Sequence, residues 1–269
     1  MYDVEFEYQG AVMRLSMDTG VVIGTISGLT GVSAAFGSVQ NVSGSGASIV
    51  SSQTAPKALS IGGYILDGQT SVKQRLMDFF KPARHMTMYV NTRNGTSDTQ
   101  RAYRADVYVK TSPMYSQEYH SKFVLELVMP VPYFEEITAR EITLGSSTEI
   151  LGDADPEYTL QFAANADDVY GVTFWCDYGL ARHKSVYLDF TKTTAGKLMT
   201  NDTVKIYRDN GIIKALVNSA SAMPILYTQS DLWYLPLGSH VFTLVNSALL
   251  KDISLSYRSL HSGVLVDGV

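Results

Sequence analysis

Alternation of apolar and polar residues with a period of two is the pattern that most constrains this chain, and it begins in its first residues. In residues 2–9, aromatic and aliphatic side chains alternate with Asp, Glu and Gln, and Gly10 ends the run. This period puts successive side chains on opposite faces of an extended strand and does not form a helical stripe. The segment is therefore predicted to be a strand with one solvated face. Similar runs recur along most of the chain, which indicates a mainly β protein.

The clearest hairpin lies in the second half of the chain, in "DTVKIYRDNGIIKALV". The Asn-Gly pair at 210–211 favours a two-residue turn. Counting outward from this turn pairs Val204 with Val217 and Ile206 with Ala215, which gives one largely apolar face. Several other short runs in this half are separated by turn signals. The pattern predicts a sandwich of two antiparallel sheets, with a barrel as the second choice.

One helix is predicted in the first half, within "DGQTSVKQRLMDFFKPAR". Val72, Leu76 and Phe79–Phe80 recur at helical spacing on one face, and Pro82 ends the element. The first half is therefore predicted to be α+β, a sandwich-like domain that carries one helix.

A long hairpin is predicted to follow this helix, in residues 85–114. If the Asn94-Gly95 pair formed a two-residue turn, Met88 would face Arg101 and the apolar faces would not match. The loop is therefore predicted to be longer than two residues and to project from the sheet. Its tip is a candidate contact with a neighbouring protomer, and the candidate interface residues are Arg93, Asn94, Gly95, Thr96, Ser97 and Asp98.

A domain boundary is predicted after the run "KFVLELVMPVPYFEE". This run is apolar on both faces apart from Glu126, which is typical of a central, covered strand. Two prolines end it, and a new series of short strands follows. The predicted domains are residues 1–136 and 137–269. Residues 24–63 are rich in Gly, Ser, Ala and Val, and they are interpreted as weakly specified β structure that could wrap a neighbour.

The sequence offers no recognisable set of catalytic or cofactor-binding residues. It has no nucleophile elbow, phosphate-binding loop or dinucleotide-binding motif after a strand, and its five histidines are not spaced as metal ligands. Catalytic, metal-ligating and cofactor-binding residues are therefore predicted to be absent, and the protein is not expected to be an enzyme. The acidic segment 153–168 is interpreted as turns, with calcium binding or acid–base chemistry as the alternative.

Composition narrows the partners further. A formal net charge of −5 gives no basis for sequence-specific nucleic-acid binding, and no apolar run is long enough for a membrane span. The first residues do not form a leader, so a soluble chain that is not secreted is expected. Cys176 is the only cysteine, and alternation predicts that it is a buried small hydrophobe.

Aromatic residues on a β framework raise carbohydrate binding as an alternative function. Alternation puts Trp175 with Thr173 and Asp177 on the less apolar face of its strand. An exposed ring beside polar groups could stack on a sugar, but burial against another subunit explains such a ring equally well.

Taken in order, these features resemble the distal tail proteins of siphophages that infect Gram-positive bacteria. Phe6, Tyr8 and Gly10 are similar to the "F-x-Y-x-G" strand of that family, and the β segment that leads into the helix, with its following hairpin, has the family's order. Residues 132–134 match the "PYF" run that closes the first domain. Residues 235–242 approximate the "L-x-P-G-x-N-x-Φ" pattern of a galectin-like second domain.

The resemblance implies a structural role at the distal end of a phage tail in the virion. The first domain would form a homo-hexameric ring that joins the tail tube protein to the tail-associated tip protein, and the second domain would point outward. In some family members the second domain carries receptor-binding proteins. The resemblance implies a galectin-like fold only, because Trp233 is followed by Tyr234 and Leu235 and not by the Gly and Glu of the galectin sugar site. A different virion or baseplate adaptor is the alternative within the same class.

The segment "DLWYLPLGSHVFTL" is interpreted as strand, turn and strand. Pro236 fixes its own φ, and Gly238 allows a positive φ. Trp233, Pro236 and Gly238 are therefore predicted to be structural turn residues, with Trp233 either packing beneath the turn or making a contact on the rim of the sandwich. Phe242 and Leu244 are expected to share one face of the returning strand.

Overall fold

Within the described residues, strands outnumber every other element, and one α-helix is present. The computed structural model describes residues 3–40, 47–66, 70–93, 99–115, 121–177, 183–209 and 212–264. The mainly β class predicted from the alternation is confirmed. No helix in these ranges is long and apolar enough to cross a membrane.

The first unit comprises the described residues up to 137 together with 261–264. A nine-stranded antiparallel sheet has the main strand order β2-β1-β7-β8-β9-β6-β3, and β10 and β21 join it beside β8. The strands of this unit are β1 Val4–Tyr8, β2 Ala11–Leu15, β3 Val21–Ser27, β4 Ala34–Gln40, β5 Ala47–Thr54, β6 Lys57–Ile65, β7 His85–Arg93, β8 Thr99–Tyr115, β9 Lys122–Met129, β10 Phe134–Glu136 and β21 Leu260–His261.

The helix α1, Thr70–Phe79, packs its apolar stripe onto this sheet. Val72, Leu76 and Phe80 are buried, and the Phe80 ring meets the Phe6 ring edge to face at 4.9 Å. Strands at both ends of the sheet contribute side chains to the same core. One sheet therefore provides the sandwich-like packing that the sequence predicts. The helical spacing in this segment is thereby confirmed.

The last described residues of the chain return to the first unit. β21 pairs with β10, and the His261 ring lies 3.0 Å from the Glu136 carboxylate. Lys57 Nζ donates to Ser262 O at 2.7 Å, and Val264 N donates to Leu29 O at 3.0 Å. Here the structure differs from the predicted division, which placed all of residues 137–269 in the second domain. No pattern in this short segment identifies its pairing partner, since the partner lies more than 100 residues earlier.

The second unit, residues 138–260, is a sandwich of two antiparallel sheets. The six-stranded sheet has the order β11-β20-β13-β16-β17-β18, and the four-stranded sheet has the order β12-β19-β14-β15. The bounds are β11 Arg140–Glu141, β12 Ser147–Ile150, β13 Tyr158–Ala164, β14 Gly171–Asp177, β15 His183–Asp189, β16 Thr203–Asp209, β17 Ile212–Val217, β18 Ala220–Ser221, β19 Gly238–Val245 and β20 Leu250–Tyr257.

Packing between the two sheets follows the alternation in their strands. The Tyr158 ring of β13 lies 5.3 Å from the Phe174 ring of β14, and Phe174 stacks with Phe242 of β19. Cys176 is buried on the Phe174 side, as predicted, and burial raises the pKa of its thiol to about 11. A thiol in this environment is a packing group and not a nucleophile.

The predicted hairpin register in this unit is confirmed. β16 and β17 pair Val204 with Val217 and Ile206 with Ala215. The pairing continues to Asp209 and Ile212, which leaves two residues for the turn, as the Asn-Gly pair predicts. The turn residues 210–211 themselves lie outside the described residues.

Candidate assembly surface

The outer face of the first unit's sheet carries an exposed apolar patch. Val124 of β9 is 39% exposed, Tyr64 of β6 is 44% exposed and Met114 of β8 is 50% exposed. Val124 pairs with Met114 on one side and with Gly62 on the other, and Tyr64 follows Gly62 on the same face of β6. We call Tyr64, Met114 and Val124 the apolar face. Such contiguous exposure on a sheet is typical of a surface that another protein covers.

The prediction that β9 is a central, covered strand is half right. β9 lies between β8 and β6, and its inner side chains are buried. On its outer face Val124 is exposed, and its neighbours on that face, Lys122 and Glu126, are charged. The outer face of β9 is therefore mixed in character, and Val124 is its exposed apolar position.

The other end of the same sheet face carries ion pairs. Arg101 Nε lies 2.7 Å from Glu5 Oε2, and the Arg101 guanidinium stacks over the Tyr89 ring at 3.9 Å. Tyr89 Oη donates to Glu7 Oε2 at 3.2 Å. Burial, followed by the charge of Glu7, raises the pKa of the Tyr89 hydroxyl. These contacts join side chains of β1, β7 and β8 across the outer face of the sheet.

A nearly buried carboxylate anchors this charged end. Asp3 is 4% exposed, and Arg14 Nε donates to both of its oxygens at 3.0 and 3.1 Å. The hydrogen bond to Asp3 is the main cause that raises the pKa of the Arg14 guanidinium. This bidentate pair fixes β1 against β2, because each oxygen of the carboxylate meets a donor of the planar guanidinium.

The hairpin β4–β5 is a second feature that favours assembly. These two strands pair with each other and, within the part of the chain that the structure describes, with no other strand. No charged residue occurs between Asp18 and Lys57, a segment that contains this hairpin and the sheet-edge strand β3. Edge strands in monomeric proteins usually carry charges or proline that block further pairing, and an isolated two-stranded hairpin is marginally stable. Within the described residues, these uncharged strands are therefore a candidate surface for pairing with another chain.

Only the two ends of the predicted interface loop lie within the described residues. Arg93 is the last residue of β7 and pairs with Thr99 of β8, so five residues, 94–98, separate the paired strands. This agrees with a loop longer than two residues. Asn94, Gly95, Thr96, Ser97 and Asp98 lie outside the described residues, as does the side chain of Arg93. Their contact with a neighbour stays a prediction.

The structure places the predicted turn residues in an anchored loop. Residues 231–237 are not a strand, so the predicted first strand of this segment is wrong, whereas β19 begins at Gly238. Backbone groups of the loop are held from outside it: Leu235 N donates to Pro156 O at 3.0 Å, and Leu237 N donates to Asp155 Oδ1 at 3.2 Å. These donors and acceptors replace the strand ladder that the alternation predicted.

Several side chains of this loop are buried or half-buried in the second unit. Trp233 is half-buried against the core of the second unit, and Pro236 is buried. Gly238 has a φ of 96°, in the left-handed region that favours glycine. Tyr158, which is fully buried, donates its hydroxyl to Leu232 O at 2.8 Å, and burial raises the pKa of this hydroxyl. Phe242 and Leu244 are both buried on one face of β19, as predicted.

We expect Trp233→Ala to lower the free energy of unfolding of the second unit by about 2 kcal/mol, because it removes a half-buried ring from the core. Calorimetry gives the change. Tyr234→Ala is the matched control, since Tyr234 is 42% exposed in the same loop. An equal loss in both variants would contradict the packing role of Trp233.

The acidic segment has structural partners in the second unit. Asp167 Oδ1 accepts from Thr200 N at 2.9 Å and from Thr200 Oγ1 at 2.7 Å, and these bonds lower the pKa of its carboxyl group. Asp168 forms an ion pair with Lys197, and Asp155 holds the 231–237 loop. The described residues contain no group of three or more His, Cys, Asp or Glu side chains that could hold a metal ion. The observed bonds correspond to the turn interpretation.

Sequence reasoning missed the apolar face. Its three residues come from strands that are distant in the sequence, and neither Tyr64 nor Met114 is unusual in its own strand. The one available signal was Val124 in the run of β9, and that run was interpreted as a covered strand. Arg14 and Asp3 were also missed, because alternation alone does not show which polar residues meet.

The fold of this chain has counterparts among solved structures. No protein-family model and no curated protein sequence matches the chain. Among solved structures, it is similar to proteins of phage adsorption apparatuses and baseplates. The fold of this chain is therefore similar to that of these phage hub and baseplate proteins.

Two solved structures show how far this similarity of fold extends. The SPP1 Dit (gp 19.1) protein, described as a paradigm of the hub adsorption apparatus in phages that infect Gram-positive bacteria, aligns with a TM-score of 0.69 and 11% identity over 96% of this chain and 98% of its own. A chain of the phage P2 baseplate in its activated conformation with Ca aligns with a TM-score of 0.52 and 9% identity, covering 98% of this chain and 100% of that chain. The resemblance to distal tail proteins is confirmed at the level of the fold.

Proposed function

We propose that this protein is a structural component of a phage tail tip, a distal hub that acts by self-assembly and docking and not by catalysis. The observation that carries this proposal is the fold likeness to the SPP1 Dit protein, which spans both units and nearly the whole of each chain. A likeness confined to one sandwich would have no such weight, because β-sandwiches serve many unrelated functions.

In this proposal the first unit forms a homo-hexameric ring. The ring joins the tail tube protein on one side to the tail-associated tip protein on the other, at the distal end of the tail in the virion. The second unit is a galectin-like domain that points outward, where a receptor-binding protein can attach. Residues 1–136 are the proposed ring-forming part and residues 137–269 the proposed outward-pointing part, except that residues 261–264 return to the first unit.

Three surfaces of the first unit support self-assembly. The apolar face packs against a neighbouring protomer, which removes exposed hydrophobic side chains from water. The uncharged hairpin β4–β5 offers unpaired strand edges to the same or another neighbour. When one patch of a protomer binds a different patch of the next protomer, every contact adds the same rotation. The assembly closes into a ring if that rotation is a whole-number fraction of a full turn. The hairpin tip Arg93–Asp98 is proposed to complete this contact.

We expect the purified protein to have six times the mass of one chain in size-exclusion chromatography with multi-angle light scattering. Negative-stain images are expected to show a ring with a central opening. The shortened variant that joins Arg93 to Thr99 through a two-residue Asn-Gly turn tests the hairpin tip, and its hexamer should dissociate at higher protein concentration than the unmodified one.

Each outcome of this experiment is decisive for one part of the proposal. A monomeric unmodified chain at all concentrations would contradict the hub function. A hexamer that is equally stable with the shortened loop would contradict only the role of residues 93–98, since calorimetry can show that the loop variant remains folded.

A further inference from the structure

A groove lies between the helix α1 and the β1–β2 hairpin of the first unit. It has a volume of about 590 Å³, which is within the range of protein binding sites. Tyr8, Met13 and Phe79 form an apolar floor, and all three side chains pack in or against the core of this unit. Ala11 of β2 and Asp78 of α1 are exposed on opposite sides of the groove.

The groove runs beside an open edge of the sheet. β2 is the end strand of this sheet, and in the part of the chain that the structure describes it pairs only with β1. Tyr8 and Ala11 pair across a two-residue turn. Because peptide groups of successive residues point to alternate edges of a strand, the N–H and C=O of Val12 point away from β1. The same holds at Arg14, whose carbonyl accepts from Thr19 Oγ1 at 2.8 Å and not from the ladder.

One end of the groove is closed by a guanidinium group that is held in place. Arg84 Nη1 donates to Asp78 O and to Phe79 O, both at 2.8 Å, so it satisfies carbonyl groups at the end of α1. The same guanidinium lies over the Tyr8 ring at 4.6 Å. Arg84 is therefore already oriented before a ligand enters, which lowers the entropic cost of binding.

A second arginine lies along the helix wall of the groove. Arg75 is exposed, and its Nη2 donates to Thr19 O at 3.2 Å. A guanidinium has five N–H donors, so one such bond leaves it able to bind a carboxylate as well. Among the described lining residues, Asp78 is the acidic one, and its carboxylate accepts from Gln74 Nε2 at 3.1 Å. Two cationic side chains therefore outweigh one anionic side chain at this groove.

We propose that this groove binds an extended segment of a different protein, which adds to β2 as a further strand. The backbone of this segment bonds to Val12, and its alternate side chains enter the groove. Apolar side chains of the segment cover Met13 and Phe79, and a carboxylate forms charge-assisted bonds with the arginines. Charge complementarity thus selects an acidic, apolar segment over a basic one.

The pattern of this chain favours another protein over a second copy as the occupant. Strand β1 has the alternation of apolar and acidic residues that the groove selects. β1 is already paired with β2 on one side and with β7 on the other, so a folded second copy does not offer this strand. The proposal therefore does not depend on ring formation.

Two short synthetic peptides test the groove in the full chain. Both have threonine at every second position. The remaining positions carry leucine and glutamate in the first peptide, and leucine and lysine in the second. Fluorescence anisotropy should show that the acidic peptide binds at least about tenfold more tightly than the basic one. The proposal is overturned if the acidic peptide does not bind, or if it binds no better than the basic peptide.

Val12→Pro tests the addition of a strand. It removes the N–H that points to the open edge, and an edge strand tolerates proline at such a position. The acidic peptide should bind about tenfold more weakly to this variant. Val12→Thr is the matched control, since it changes the same side chain and keeps the N–H, and it should leave the binding unchanged.

Arg75→Glu tests the charge of the groove. It should weaken binding of the acidic peptide by about tenfold or more, because a carboxylate then faces the carboxylates of the peptide. Lys192→Glu makes the same change of charge at an exposed position in the second unit, and it should leave the binding unchanged. Binding that survives unchanged in folded Val12→Pro and Arg75→Glu variants would overturn the proposal, because the peptide would then bind elsewhere.

Light scattering distinguishes another protein from a second copy. Val12→Pro and Arg75→Glu should both leave the mass of the purified protein unchanged. A lower mass would show that a second copy occupies the groove, and it would overturn the assignment of this site to a different protein.

Discussion

Phe80→Ala is expected to destabilise the first unit by about 4 kcal/mol and to abolish its assembly. Phe80 is fully buried at the end of α1, where its ring meets Phe6 at 4.9 Å and Phe79 at 5.1 Å. Truncating a buried phenylalanine loses its transfer free energy and leaves a cavity. That loss is a large part of the total stability of a domain. Calorimetry measures the unfolding transition, and light scattering measures the mass.

Met77→Ala is the matched control for this prediction. Met77 lies on the same helix but is 43% exposed, so its removal should change the free energy of unfolding by about 0.5 kcal/mol or less. If Phe80→Ala were no more destabilising than Met77→Ala, the packing of α1 on the sheet would not be the interaction that holds the first unit together.

Val124→Glu is expected to dissociate the proposed ring while the monomer stays folded. Val124 is 39% exposed on the apolar face, so a carboxylate there remains solvated in the free chain. In the assembled ring the same carboxylate would be buried without a partner, which costs several kcal/mol. The dissociation constant between protomers should therefore rise by about a hundredfold or more. Light scattering across a dilution series measures this change.

Val12→Glu separates this effect from a general effect of added charge. Val12 lies on edge strand β2 of the same sheet, is 53% exposed and lies outside the apolar face. Val12→Glu should leave the mass of the assembly unchanged. Dissociation by both substitutions, or by neither, would show that the apolar face is not the specific contact between protomers.

Where the sequence predicts this fold well, the information is local. Val204 and Val217 pair as expected because a two-residue turn and strict alternation leave one register that keeps apolar side chains on one face. Leu76 and Phe80 are buried for the same reason, since helical spacing determines which side of a short helix is apolar. The mainly β class and the two-unit order follow from such patterns together.

The missed features depend on tertiary contacts. The 231–237 loop alternates like a strand, yet its backbone donors are satisfied by Asp155 and Pro156 and not by a ladder. Val124 lies in an apolar run that predicts cover on both faces, and sequence cannot distinguish cover by the same chain from cover by another. The pairing of β21 with β10 has no sequence signal, because two-residue strands are too short to show a period.

The return of the chain through β21 makes the second unit an insertion in the first. Its incoming strand β10 and outgoing strand β21 are hydrogen-bonded neighbours, so the points where the second unit leaves and rejoins are about 5 Å apart. A gap of that width can be bridged by a short turn. The whole sandwich could thus be exchanged for another domain, by evolution or by an engineer, while the sheet of the first unit keeps all of its strands.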